Sequence, residues 1–242
     1  MNNRIAALMI GRGGSSLKDK NILPVHGYPL LQWAAAAAHR SSYIGRFYIS
    51  SDCDRILSAA KAAGYTPIRR PEALSTATAQ SCDVVRHGLS IIEEDGSVDV
   101  IVLQHANVGI ISEQIIDDCI DELMADESLS AVVPCHENNE YHPYRAKSLS
   151  GESLLEPFVQ IDGNVSANRQ DLPPAYFFDH SIWVLRASTI NAPGGQPPWQ
   201  CMGNRIKPYL TEGCLDVHSP EDIEKTEKWI TEHGIPQPDF RK

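Results

Sequence analysis

The sequence has no apolar run approaching the roughly 18–20 residues that a membrane span requires. Its longest, LLQWAAAAAH at 30–39, is far shorter and reads as a buried helix. Clustered basic charge is also missing: 21 Lys and Arg stand against 31 Asp and Glu, a formal net charge of -10, and the pI is near 5.3. That excludes a broad nucleic-acid surface, which rests on grouped Lys and Arg, but leaves room for a local patch that holds a small anion. Neither nucleic acid nor membrane is expected as a partner. Cysteine is sparse and scattered. Cys53, Cys82, Cys119, Cys135, Cys201 and Cys214 include no C-x-x-C pair of the zinc or redox type. They are expected as buried small hydrophobes in a reduced chain. The N-terminal residues show no apolar stretch followed by a small-residue cleavage site, so a cytoplasmic location is expected. There is no internal repeat and no low-complexity tract.

What is present is an alternation of short apolar strands with helical patterns. IAALMI (5–10) is a continuous apolar run, as in a strand buried on both faces. A helix is predicted from Pro29 to His39, a strand at RFYIS (46–50), and a helix through Ala63 capped by Asp52 or Asp54 and closed by Gly64. A strand at 67–69, a helix at 79–94 and the strand DVIVLQ (99–104) follow. Ser112 is expected to cap the next helix, and LSAVVPC (129–135) to form another buried strand. From His136 to Tyr176 the chain is polar and punctuated by Pro and Gly, with hairpin-like pieces around LSGESLL and QIDGNV. SIWVLR (181–186) returns to the sheet, and PEDIEKTEKWITEHG is a terminal amphipathic helix. The expected fold is one α/β domain over 1–242, doubly wound around a mostly parallel sheet, with an inserted lobe at 137–177 that is a candidate dimerisation element.

The stretch IGRGGSSLKDKNILPV (10–25) follows directly on the first strand. Ligands sit beyond the carboxyl ends of strands in open α/β sheets. Gly11, Gly13 and Gly14 let backbone N–H groups approach an anion closely. Arg12 and Lys20 suit phosphate oxygens, and Asn21 can hydrogen-bond one. The spacing is neither G-x-x-x-x-G-K-[ST] nor G-x-G-x-x-G, since Ser16 stands where the third glycine would be.

Other segments recur with this loop in one order: SSD at 50–52, RRPEAL at 69–74, TAQS at 78–81, LQ at 103–104, NRQDLPPAYFFDHSIW at 168–183 and CLDVHSPEDI at 214–223. Together they resemble the acylneuraminate cytidylyltransferase family over nearly the whole chain. That family has Arg-Gly-Gly-Ser then Lys-Asn, Ser-Thr-Asp, R-P-x-x-L before T-A-S-S, Q-P-T-S-P, R-Q-x-L-P, R-P-N-G-A-I-Y and D-I-D. The resemblance implies a nucleotide-diphospho-sugar transferase-like fold and transfer of CMP from CTP to the hydroxyl of an acidic sugar, releasing pyrophosphate. It implies that Arg12, Gly13, Gly14, Ser15, Lys20 and Asn21 hold the triphosphate, with Arg12, Lys20 and Asp216 catalytic. Arg70, Ala79 and Ser81 would frame cytosine and ribose, and Gln104 would lie between nucleotide and acceptor. Arg169 matches the R-Q-x-L-P arginine. His142-Pro143 and Arg145 resemble a segment whose basic residue meets the acceptor carboxylate, on a lobe that reaches into the other subunit of a homodimer. Mg²⁺ or another divalent cation is implied, with Asp216 as its matching carboxylate.

The departures cluster. The loop is one residue short, Ser16 replaces a lysine for which Lys18 could substitute, and D-I-D has become Asp216-Val217-His218. Either Asp216 alone holds Mg²⁺, or His218 marks another metal or an acceptor contact. Q-P-T-S-P is QHANV and R-P-N-G-A is FFDHS. The acceptor is therefore expected to differ from N-acetylneuraminate, in a pocket lined by His105, Asp179 and His180, the last two a candidate acid–base pair. A related transferase using another nucleotide or acceptor, and a non-catalytic nucleotide-binding protein, are the alternatives.

Overall fold

A computed structural model describes residues 2–14, 17–161 and 163–240, the side chains of 2 and 3 excepted. In chain order, its first half runs β1 (Asn2–Ile10), β2 (Pro24–Val25), β3 (Tyr28–Pro29), α1 (Leu30–Arg40), β4 (Ile44–Ser51), α2 (Asp54–Ala62), β5 (Thr66–Arg69), α3 (Ser81–Glu94) and β6 (Val100–His105). The second half runs α4 (Glu113–Ala125), β7 (Ala131–Glu137), β8 (Lys147–Leu149), β9 (Leu155–Pro157), β10 (Tyr176–Phe178), β11 (Ile182–Arg186), α5 (Ala187–Ile190), β12 (Ile206–Leu210) and α6 (Pro220–Glu232). The main sheet has eight strands in the order β10-β7-β11-β6-β1-β4-β5, with β12 also paired to β7. Pairs β1–β4, β1–β6, β4–β5 and β7–β12 are parallel. Only β10 and β11 run antiparallel to their neighbours.

Helices cover both faces. Ala7, Met9, Val100 and Val102 pack with the buried side of α1, α2 and α4, while Ala6, Leu8, Ile101 and Leu103 pack with α3, α5 and the turn at 200–202. The period-two alternation of each strand sends successive side chains to opposite layers. A third cluster, Val25, Leu30, Trp33, Val217 and Ile230, fixes α6 and the chain before it against the β2–β3 hairpin. Ser219 and Asp222 form a reciprocal capping box at the start of α6, and Ser112 caps α4 through the Ile115 N–H. The helix after β4 is not capped by Asp52 or Asp54. The Asp52 carboxylate instead accepts the Gly13 N–H at 2.9 Å, which ties the glycine loop to the end of β4.

The lobe lies between β7 and β10. Its first predicted hairpin is the β8–β9 pair. Its large side chains face outward, with Tyr141, Leu149, Leu155 and Phe158 each at least two-thirds exposed. The cysteine reading needs correction. Cys82, in the first turn of α3, and Cys201 are joined as a disulfide across 119 residues of sequence, because the 200–202 turn packs on that end of α3. Cys119 and Cys135 are buried thiols, and Cys53 and Cys214 are partly buried. No helix among the described residues is long and apolar enough to cross a membrane.

Candidate functional site

A cleft of about 470 Å³ opens at the carboxyl ends of β1 and β6. Arg12, Lys20, Asn21, Arg70, Ala79, Ser81, His105 and His218 all line it, joined by Thr76 and Asn107. The loop turns into it because Gly11 carries no side chain: a Cβ there would sit 2.7 Å from the Ala106 Cβ and 3.2 Å from the Asn21 Nδ2. Asn21 is buried and donates to the Arg12 carbonyl at 3.1 Å, closing the loop on itself. Arg12 donates to the Thr76 carbonyl at 2.7 Å. Arg70, only 7% exposed, donates to the Ser50 carbonyl (2.6 Å), the Ser50 hydroxyl (3.2 Å) and the Gly11 carbonyl (3.4 Å), clamping the ends of β1 and β4 together.

These cations crowd one another. Burial lowers the Lys20 ammonium from its ordinary pKa; Asp216 opposes the shift and Arg12 adds to it. Burial brings the Arg70 guanidinium down to about 10, with Asp52 opposing and Arg12 adding. Desolvated cations pressed together in a cleft favour an anionic ligand that restores their solvation and neutralises them. Burial, then the nearby His180, brings His105 down to about 3, so its imidazole is neutral near pH 7.

Asp216 is held beside Val108, just past β6, by an isolated bridge. Its Oδ2 lies 3.7 Å from the His218 Nε2, and it stands within electrostatic reach of Lys20. Among the described residues no three His, Cys, Asp or Glu side chains converge as a metal cluster. One carboxylate beside an anion-favouring cleft suits Mg²⁺, which takes one or two carboxylates and completes its shell with water and substrate phosphates.

Other expected residues fall elsewhere. Ser15 and Ser16 lie outside the described residues. Gly13 meets Asp52, Gly14 is exposed, and Lys18 is exposed and does not line the cleft. Gln104 also differs from expectation: it is fully buried, accepting from the Tyr65 hydroxyl at 2.6 Å and donating to the Ala34 carbonyl at 2.8 Å, so its amide serves the α1 layer. Arg145 and Arg169 converge on Glu140 in the lobe, Arg169 at 2.6 Å and Arg145 at 3.9 Å, and neither lines the cleft. Asp179 and His180 are not a pair. His180 packs among the rings of His105, Trp183 and Trp199. Asp179, 2% exposed, instead receives the His136 Nδ1 at 2.7 Å. His136 was not singled out in the sequence. It stands 43 residues from its partner, and only the β7–β10 pairing brings the two together.

The fold and the cleft define an α/β protein with a cation-lined cleft at the end of the first parallel strand. A family model described as cytidylyltransferase matches residues 6–152, more than half of the chain, and the chain belongs to the cytidylyltransferase family. It is 36% identical over 187 residues to the N-acylneuraminate cytidylyltransferase of Oncorhynchus mykiss, covering 77% of this chain and 42% of that protein. It is 33% identical over 92 residues to the enzyme of that name from Escherichia coli O18:K1:H7, covering 38% of this chain and 22% of that one. The chain thus spans less than half the length of either relative. A 3-deoxy-manno-octulosonate cytidylyltransferase of Bdellovibrio bacteriovorus is 22% identical over 266 positions, covering 96% of this chain and all of that one. Among solved structures, CMP:2-keto-3-deoxy-manno-octonic acid synthetase complexed with CTP superposes with a TM-score of 0.68 at 15% identity, covering 95% of this chain and 99% of the other. A cytidylyltransferase from Leptospira borgpetersenii superposes at 0.62 with 15% identity, covering 95% and 87%.

Proposed function

We propose that this protein transfers CMP from CTP to the hydroxyl of an acidic 2-keto-3-deoxy sugar other than N-acetylneuraminate, releasing pyrophosphate. The observation that carries the reading is the convergence of Arg12, Lys20, Asn21 and Arg70 on one cleft, with Asp216 in electrostatic reach of Lys20. In this transfer the acceptor oxygen bonds to the α-phosphorus, the bond to the β-phosphate oxygen breaks, and the hydroxyl proton is released. Catalysis of such a step is positioning plus neutralisation of phosphoryl charge. Arg12 and Lys20 offset the charge that collects on the departing pyrophosphate. Arg70 keeps the loop's entry rigid, and Ala79 and Ser81 at the start of α3 frame the base and ribose. Asp216 would hold Mg²⁺, with His218 as its neighbour, and the ion would neutralise phosphate oxygens when bound.

Two features support an acceptor other than N-acetylneuraminate. Where the family carries hydroxyl side chains, this chain has Ala106, fully buried, and Asn107, which lines the cleft. Beside it stands the ring cluster of His105, His180 and Trp183. The outward apolar side chains of the lobe support a homodimer joined there, a geometry in which Arg145 and Arg169 would serve the partner's acceptor. The experiment is pyrophosphate release from CTP with Mg²⁺ and a panel of 2-keto-3-deoxy sugar acids. Turnover is expected with at least one of them. Best turnover on N-acetylneuraminate would defeat the acceptor assignment, and no release with any acid would defeat the activity.

A further inference from the structure

A second cavity, of about 280 Å³, opens near the same end of the sheet as the cation-lined cleft, but behind a wall. The segments 105–111 and 213–218 run together there, joined by the Val108–Asp216 bridge and by the Val217 N–H on the Asn107 carbonyl at 3.0 Å. His105, Asn107 and His218 face the cleft, whereas Ile110, Ile111, Gly213 and Cys214 face the cavity. The two spaces share no lining residue. The first turn of α4, the approach to β11 and the end of α6 complete the cavity.

Its body is apolar, formed by Ile110, Ile111, Ile115, Trp229 and Ile235. Most of its polar groups are already engaged. Asp179, 2% exposed, accepts from the His136 Nδ1 at 2.7 Å with one oxygen and from the Thr211 hydroxyl with the other. Thr211 accepts the Gly213 N–H at 3.1 Å, and Ser112 accepts the Ile115 N–H at 3.4 Å. The exposed His233 stacks on the Trp229 ring, with its Nδ1 2.9 Å from the Trp229 carbonyl. The Cys214 thiol stands 3.7 Å from the Asp216 Oδ1. Burial, then the Asp216 and Asp179 carboxylates, raises that thiol above its ordinary range, so it is uncharged near pH 7. Ser181 is the exception. It is 4% exposed and lines the cavity, yet its hydroxyl has no partner among the described residues. Nor is that hydroxyl one of the unpartnered atoms shut off from solvent, so it opens on the cavity. A buried hydroxyl without a partner is costly, and a ligand group that meets it removes the cost.

The lining also selects by charge. No Lys or Arg borders the cavity, and the Asp179 carboxylate does. A sugar acid would bring its own carboxylate to that wall with no cation to meet it. The volume is near the lower end of small-molecule pockets, ~300–1,000 Å³, and the mix of apolar walls with few polar groups is theirs too. We infer that this cavity is a second small-molecule site, separate from the cation-lined cleft. It takes an uncharged ligand the size of one substituted ring, with an apolar body against Ile111 and Trp229 and an amide or hydroxyl group on Ser181. The site does not depend on the transferase reading above.

The test uses cyclohexanecarboxamide as the probe and cyclohexanecarboxylate, its anionic counterpart, as the comparison. Binding is followed on the tryptophan indole signals in ¹⁵N–¹H NMR, with the Trp229 signal assigned by Trp229→Phe. The amide should shift the Trp229 signal saturably, and the carboxylate should bind at least 10-fold more weakly. Ser181→Ala removes a hydroxyl that has no protein partner, so the fold should persist. It should weaken the amide by roughly 2–12-fold, the loss of one hydrogen bond. Saturating CTP should leave the amide bound. Equal affinity for amide and carboxylate, or shifts spread evenly over the four tryptophans without saturation, would overturn the assignment. An unchanged affinity in Ser181→Ala would overturn it as well, and displacement by CTP would show that the probe sits in the cleft instead. Because none of these readings needs turnover, a protein that releases no pyrophosphate with any sugar acid would count against the transferase reading alone.

Discussion

The first glycine of the loop supports a prediction that can be worked through. In Gly11→Ala the new methyl would lie 2.7 Å from the Ala106 Cβ. Neither atom can rotate away, since each is fixed to its backbone, and the Ala106 N–H is bonded to the Ile10 carbonyl at 3.0 Å. The ends of β1 and β6 must therefore part, at the ~1–3 kcal/mol typical of overpacking. At about 2–4 °C per kcal/mol for a domain of this size, Tm should fall by roughly 2–12 °C. Ala106→Gly alone removes one buried methyl, worth about 0.8 kcal/mol, and adds about 0.5–1 kcal/mol of backbone entropy. In the double variant the contact with the Ala106 methyl is gone and only the 3.2 Å approach to the Asn21 Nδ2 remains, so its cost should stay closer to that of Ala106→Gly alone than to the sum of the two, with a favourable coupling of about 1 kcal/mol. Urea unfolding of all four proteins measures the cycle. A Gly11→Ala cost below about 0.5 kcal/mol, or strictly additive single costs, would refute the argument that the loop's entry depends on this approach.

Lys20→Met should weaken CTP binding by roughly 10–100-fold, the loss of one charge-assisted bond. Because burial lowers the folded Lys20 pKa, its charge is lost as pH rises through a value below that of an exposed lysine. CTP affinity should fall over that alkaline range in the wild type and not in the variant; calorimetry at several pH values decides. Asp222 is held down to about 2, chiefly by Lys225 and then by the His218 N–H. Its contribution to stability is therefore present above its ordinary value of 3.8 and lost as pH falls from there through about 2. Asp222→Asn should flatten that part of the stability profile, and an unchanged slope would count against the capping box. Phe158→Asp, on the exposed lobe, should yield a folded monomer by light scattering if the lobe joins two copies. A wild type that is itself monomeric would remove the homodimer from the account.

The alternation of strand and helix was legible because apolar periodicity is local: 5–10 and 99–104 read as buried strands, and they are neighbours in the sheet. Strand direction is not local, and nothing in SIWVLR announces that β11 enters antiparallel between β6 and β7. Asp52 looked like a helix cap, but a glycine 39 residues earlier takes its carboxylate. Gln104 follows a run whose neighbours alternate between two covered layers, and spacing alone did not say which layer it would face. The cleft residues were readable as a cationic glycine loop. The His136–Asp179 contact was not, since it depends on where β10 breaks from β11. Cys82 and Cys201 share that limit, being brought together only by packing on α3.

The central claim is that the basic glycine loop after β1 grips a triphosphate. A crystal structure with CTP and Mg²⁺ tests it most directly. The account predicts phosphate oxygens within hydrogen-bonding distance of Arg12 and Lys20, with the cytosine beside Ala79 and Ser81 and the ion on Asp216. Phosphates bound instead at Arg145 and Arg169, with the loop contacting only solvent, would contradict it.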